Sequence, residues 1–169
     1  FGFNIDYLFG RGMYDHQTTG YFNASLYGYH HGERYEVTAL FSHNKLRLAE
    51  NGGIADDRYV TNPEAMAEGK KTYRPADMPT NLQKTWNENL IHTLFLAQDY
   101  SLGYYKARTD SLPDTIVVHH DFIPVSKAFH TLEISSKNRR FIDYANTKDY
   151  YVHDYLPYDS IDATNYLRI

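Results

Sequence analysis

Gly20–Asn44 reads GYFNASLYGYHHGERYEVTALFSHN, and its alternation decides the fold class. Phe22, Ala24, Leu26 and Gly28 alternate with Tyr21, Asn23, Ser25, Tyr27 and Tyr29. After His31-Gly32-Glu33 the pattern resumes, with Tyr35, Val37, Ala39 and Phe41 against Glu36, Thr38, Ser42 and Asn44. Leu40 interrupts the polar set. Successive side chains on a strand point to opposite faces, so period-2 alternation predicts two strands, each with one apolar and one polar face. The short Gly-containing segment between them predicts a tight hairpin. What the apolar face touches, a packed core or lipid, is the functional question.

The flanking sequence extends the pattern. Phe1, Phe3, Ile5, Tyr7 and Phe9 share one parity, opposite Asn4, Asp6 and Gly10. That predicts a strand of about 9 to 11 residues, long enough to cross a bilayer when tilted. Asp15–Thr19 reads as a short polar connection. Residues 45–85 contain Asn51-Gly52-Gly53, Asn62-Pro63, Pro75 and Pro79 with little apolar periodicity, and predict a long loop. A structureless loop of about 40 residues is foreign to a compact domain, but ordinary on the extracellular side of an outer-membrane barrel. Within it, Asn62 is placed to cap a short helix that starts at Pro63.

A fourth strand is expected over 89–105, with Leu90, His92, Leu94 and Leu96 on one face and Thr93, Phe95, Ala97 and Asp99 on the other. Residues 106–120 read as a connection containing Pro113, with Thr115–Val118 available for local pairing. A fifth strand is expected over 122–140, with Ala128, Leu132 and Ile134 opposite Lys127, Thr131, Glu133 and Ser135. The tail from Tyr144 reads as loop, ending in a further strand at 166–169. The fold class is therefore all-β, with antiparallel up-and-down strands. About five or six strands fall short of the smallest usual membrane barrel, about 8, so a barrel reading treats residues 1–169 as a partial barrel domain within a longer protein.

Composition narrows the alternatives. The 169 residues carry a net charge of −4 and no Cys, which removes the clustered basic signature of nucleic-acid binding and all Cys-based chemistry. Tyr occurs 17 times and Trp once. Tyr suits strands, and it also suits membrane interfaces, where the ring is buried and the hydroxyl wet. No apolar run reaches the length of a helical span.

Motifs for catalysis are missing: there is no Gly-x-Ser-x-Gly, Walker A, dinucleotide fingerprint or His-Glu-x-x-His, so no enzyme and no cofactor is expected. The densest metal candidate is His119-His120-Asp121, but neighbouring strand residues face opposite ways, so a polar surface role is the simpler expectation. Asp56-Asp57 and Asp110/Asp114 are expected as solvated loop carboxylates. On the barrel reading, Asn23, Ser25, Tyr27, Glu36, Thr38, Ser42, Lys127, Thr131 and Glu133 line the pore, and Phe22, Ala24, Leu26, Val37, Ala39 and Phe41 face lipid. A soluble β-sandwich, binding glycans on Tyr rings, has the same alternation.

Several stretches, in order, resemble the Bacteroidetes putative porin family of outer-membrane β-barrels. They are Tyr35–Lys45, Glu50–Ile54 with Asp56-Asp57, Leu94–Gly103, and Ile123-Pro124 followed by His130–Glu133 and Arg140–Asp143. The resemblance implies the outer membrane of a Gram-negative bacterium and passive passage of small polar solutes. The partners it implies are outer-membrane lipid, the remaining strands of the same barrel and other envelope proteins. It also allows an accessory barrel within a larger assembly. Ser111, Thr115 and Ser160 lie in Asp-Ser/Thr-apolar triplets that resemble the O-glycosylation sites of that phylum.

Overall fold

The computed structural model describes residues 1–67, 69, 74–112, 115–145, 150–151 and 161–169, with the backbone alone at 110–112 and 115–117. Six strands form a single antiparallel sheet in chain order. They are β1 (Gly2–Arg11), β2 (Thr18–His31), β3 (Tyr35–Ala49), β4 (Thr85–Leu112), β5 (Thr115–Asp143) and β6 (Ile161–Arg168). The all-β, up-and-down expectation holds, and the sheet is open: β1 pairs with β2 alone and β6 with β5 alone among the described strands. No helix among the described residues is long and apolar enough to cross a membrane.

The hairpin that opened the sequence is longer than its alternation marked. β2 and β3 pair from Thr19↔Leu48 to His31↔Glu36, around a turn at 32–34 closed by the Gly32 N–H donating to the Tyr35 carbonyl at 2.9 Å. The expected loop at 45–85 therefore begins at Glu50, because Lys45–Ala49 continue β3 against Trp86–Leu90. Residues 106–112 and 115–120 are strand rather than connection, with the expected local pairing of Thr115–Val118 part of it. They belong to one two-stranded ladder that runs from Thr85↔Asp143 to Leu112↔Thr115. Its alternation is hard to see because charged residues occupy positions 106, 108 and 110 and a bulge shifts the register after Leu102/Gly103. The last strand starts at Ile161, earlier than the expected 166.

The described parts of the 50–84 segment pack on one another. A bridge joins Ile54 and Thr80, the Leu82 N–H donates to the Asn51 carbonyl at 2.9 Å, and the Asn81 N–H donates to Gly53 at 3.0 Å. Gly52 and Gly53 have φ of 64° and 85°, a region L side chains avoid, and a Cβ at Gly52 would strike Leu82. The expected capped turn is present as α2 (Pro63–Met66), with Asn62 accepting from the Ala65 N–H at 3.4 Å; α1 (Arg58–Thr61) precedes it. Ala67, Met78, Leu82 and Ile142 are the buried apolar residues among those described. The hydrophobic core thus lies at the loop-bearing end of the sheet, where Ile142 of β5 joins Ala67, Met78 and Leu82 of this segment.

The strand ends are not alike. The connections at 12–17, 50–84 and 144–160 share one end of the sheet, and those at 32–34 and 113–114 share the other. The two long connections, 50–84 and 144–160, are on the same, loop-bearing end, with the short one at 12–17.

Candidate functional site

Antiparallel pairing carries each residue's face to its partner, so the register sorts the whole sheet into two surfaces. On one surface, Phe3, Ile5 and Tyr7 oppose Leu26, Ala24 and Phe22. Leu26 opposes Phe41, Phe41 opposes Leu94, and Leu94 opposes Ile134. All six residues nominated for lipid contact, Phe22, Ala24, Leu26, Val37, Ala39 and Phe41, lie on this surface. No second layer covers it among the described residues: Phe3 is 72% exposed and Leu26 61%.

The apolar patch does not run straight across. On β1 it occupies Phe3–Phe9, while on β5 it consists of Ile134, Leu132 and Ala128, which oppose Leu94, Leu96 and Tyr100. The Tyr100 and Ala128 row lies beyond the end of β1. The band therefore slants toward the short-turn end from β1 to β5. Strands of a closed barrel tilt by about 35–45° to the axis. A level belt drawn on tilted strands crosses their hydrogen-bonded rows diagonally, as here.

The other surface is polar. Its central row runs Asn4, Ser25, Ser42, Thr93, Ser135. The next rows place Asp6 opposite Asn23, and Thr38 opposite Ala97, which in turn opposes Thr131. All nine residues nominated for the pore, Asn23, Ser25, Tyr27, Glu36, Thr38, Ser42, Lys127, Thr131 and Glu133, fall on this one surface. Four are joined by charge or register: Lys127 Nζ lies 2.9 Å from Asp99 and 4.0 Å from Glu36, and Glu36 lies 2.6 Å from His31 Nδ1. Ser25 sits opposite Ser42. Asp99, His31, Asp6 and Asn44 belong to the same polar surface. Asp6 accepts from Asn23 at 3.0 Å, and Asn44 accepts from the Tyr21 hydroxyl at 3.0 Å. Leu40 and Phe95, neighbours in register, interrupt it with an apolar step beside Tyr27.

At the loop-bearing end the apolar surface gives way to charge. Glu88, almost fully buried, pairs with Arg140 and lies 3.2 Å from Lys45 Nζ. The Arg47 guanidinium stacks 4.6 Å above Trp86. Beside them, His43 and His92 place their Nδ1 atoms 3.4 Å apart, between Phe22 and Phe41. No sequence rule brought these residues together. The only signal was parity, since Lys45, Arg47, Glu88, His92 and Arg140 share the phase of the apolar set.

Around Asp143, almost fully buried, three donors converge: the Thr85 hydroxyl at 3.3 Å, the Ala145 N–H at 3.0 Å and the Tyr151 hydroxyl at 3.0 Å. Burial, and then the adjacent Asp143 carboxylate, push the Tyr151 hydroxyl well above its ordinary value of 10.0. On the exposed α1 flank, Arg58 hydrogen bonds hold the Asp56 carboxyl below the usual range.

The remaining nominees are dispersed. His119 and His120 are consecutive on β5, opposite Arg108 and Ala107. Among the described residues no group of three or more His, Asp or Glu is placed to hold a metal ion. Ser111 and Thr115 lie in the last paired positions of the β4–β5 ladder, with Ser111 opposite Ile116 and Thr115 opposite Leu112; Ser160 and Asp114 lie outside the described residues.

No curated protein and no solved structure matches the chain. A family model described as "Putative porin" matches residues 1–169, the whole of the sequence. An open up-and-down sheet with one bare apolar surface and one polar surface is the architecture such a match calls for; the chain belongs to the putative porin family.

Proposed function

We propose that residues 1–169 form part of the wall of an outer-membrane β-barrel that lets small polar solutes pass down their gradient. The observation that carries this is the two-surface sheet: six strands with an uncovered, slanted apolar band on one side and polar rows on the other. In lipid every backbone N–H and C=O needs a partner, which a closed antiparallel sheet supplies. The remaining strands of the same barrel complete that closure at β1 and β6. Phe22, Ala24, Leu26, Val37, Ala39 and Phe41 then meet acyl chains. Asn23, Ser25, Tyr27, Glu36, Thr38, Ser42, Lys127, Thr131 and Glu133 line the water path. Their mixed charge solvates ions and polar solutes without strong preference. Passage requires no chemical step and no cofactor.

Planar-bilayer recording tests this. Stepwise conductance with weak ion selectivity is expected. Replacing Lys127 with Gln frees Asp99 and Glu36 and should shift the reversal potential toward cation preference. A purified full-length protein that inserts yet never conducts would sink the open-pore reading. The self-packed 50–84 segment favours one alternative, a barrel whose mouth is filled and whose outer surface serves a larger envelope assembly.

A further inference from the structure

The charged corner of the apolar surface is out of place on a wall that meets only hydrocarbon. Lys45, Arg47 and Arg140 carry three positive charges, and Glu88 offsets one. Arg47 is exposed and has no carboxylate at ion-pair distance among the described residues; its partner is the Trp86 ring. Trp and cations together mark the level of lipid headgroups, where the ring stays apolar on one side and wet on the other. Toward the short-turn end from the corner, Gly28 of β2 and Ala39 of β3 floor a shallow dent walled by Phe1, Leu26, Phe41 and Leu94. Ala39 is six positions along β3 from Lys45, about 20 Å at strand rise, a span that suits one fatty-acyl chain.

Resting on the membrane reading above, we infer that Lys45, Arg47 and Arg140 form a headgroup site for a phosphorylated lipid whose acyl chain runs down toward the Gly28–Ala39 dent. The corner lies at the end of the sheet that bears the two long connections, 50–84 and 144–160. Long connections belong to the outer side of such barrels, so the leaflet is the outer one and the ligand is the phosphorylated glucosamine headgroup of lipid A. Its phosphates are dianionic near neutral pH and complement the surplus of two positive charges. Arg presents them a planar fork and Lys a point charge.

Trp86 lies directly beneath Arg47, so the emission that a Trp86→Phe variant loses reports the site. The full-length barrel, folded in neutral detergent micelles, is titrated with diphosphoryl lipid A, with the same lipid stripped of phosphate, and with phosphatidylglycerol. A saturable change in Trp86 emission is expected for diphosphoryl lipid A, weakening as salt rises. Each cation near a charged membrane surface contributes about fivefold in affinity, so Lys45→Gln with Arg47→Gln should weaken binding about 30-fold. Neither change removes Glu88 or Arg140, and retained heat-modifiable gel mobility verifies the fold. Equal binding of the phosphorylated and stripped lipids, or no loss in the double variant, overturns the site. Phosphatidylglycerol binding as tightly as lipid A overturns the outer-leaflet assignment. A full-length protein that stays monodisperse in plain buffer without detergent overturns the membrane reading itself, whereas a detergent-dependent barrel without phosphate dependence overturns only the headgroup site.

Discussion

Glu88 on β4 faces Arg140 on β5 across the ladder, and its second carboxylate oxygen lies 3.2 Å from Lys45 Nζ on β3. One buried anion thus ties three adjacent strands. Removing one member of a buried ion pair strands the others, though Lys45 and Arg140 are about two-fifths exposed and water screens part of that cost. Glu88→Ala should destabilise by about 1–2 kcal/mol, with Glu88→Gln milder because it keeps the shape and one acceptor. Urea-unfolding midpoints in micelles measure both.

Gly103 sits where the β4–β5 register shifts. A Cβ there would run into the Ile123 carbonyl and the Phe122 ring, whereas one at Gly10 meets nothing within 4 Å. Gly103→Ala should therefore cost about 1–3 kcal/mol through forced backbone movement. Gly10→Ala should be neutral or slightly stabilising, since a strand glycine forfeits chain entropy. Comparing the two in one unfolding assay separates the steric effect from glycine content.

Phe41 and Ser42 are neighbours in sequence on opposite surfaces of β3. An Arg on the lipid side of a barrel costs about 2–4 kcal/mol near the bilayer midplane, and little on the water side. Phe41→Arg should depress folding into vesicles by that amount, and Ser42→Arg should fold nearly as wild type. Equal losses at the two positions contradict the surface assignment.

Tyr151 donates to Asp143 at 3.0 Å, and its ionisation is displaced upward in the folded state. A raised folded value means the contact contributes fully below the unfolded pKa of 10.0 and is lost as pH climbs above it. Protease protection of the loop-bearing end should therefore fall as pH rises past about 10. Tyr151→Phe should start lower at neutral pH and show a flatter alkaline decline. Parallel decline in both proteins would assign the effect to other groups.

Alternation made the two surfaces legible: Phe22, Phe41, Ser25 and Thr131 all lie on the faces their parity indicated. It worked where one side is apolar and the other polar. It failed at 106–120, where charge at Lys106 and Arg108 erased the contrast between faces, and at Lys45–Ala49, where Lys45 and Arg47 resemble loop residues. The Lys45–Glu88–Arg140 cluster was illegible for another reason. Arg140 and Glu88 are 52 positions apart, and only the register of β3, β4 and β5 brings them together. The slant of the apolar band likewise exists only between strands, not within any one of them.

The outer edge of β1 carries a further consequence, for assembly rather than transport. Its ten residues, GFNIDYLFGR, include no Pro and one carboxylate, and their outward N–H and C=O groups have no strand partner among those described. Such an edge templates identical copies of itself. Pairing with the neighbouring strand of the closed barrel removes that template, so a chain caught before closure should be the species that associates edge to edge.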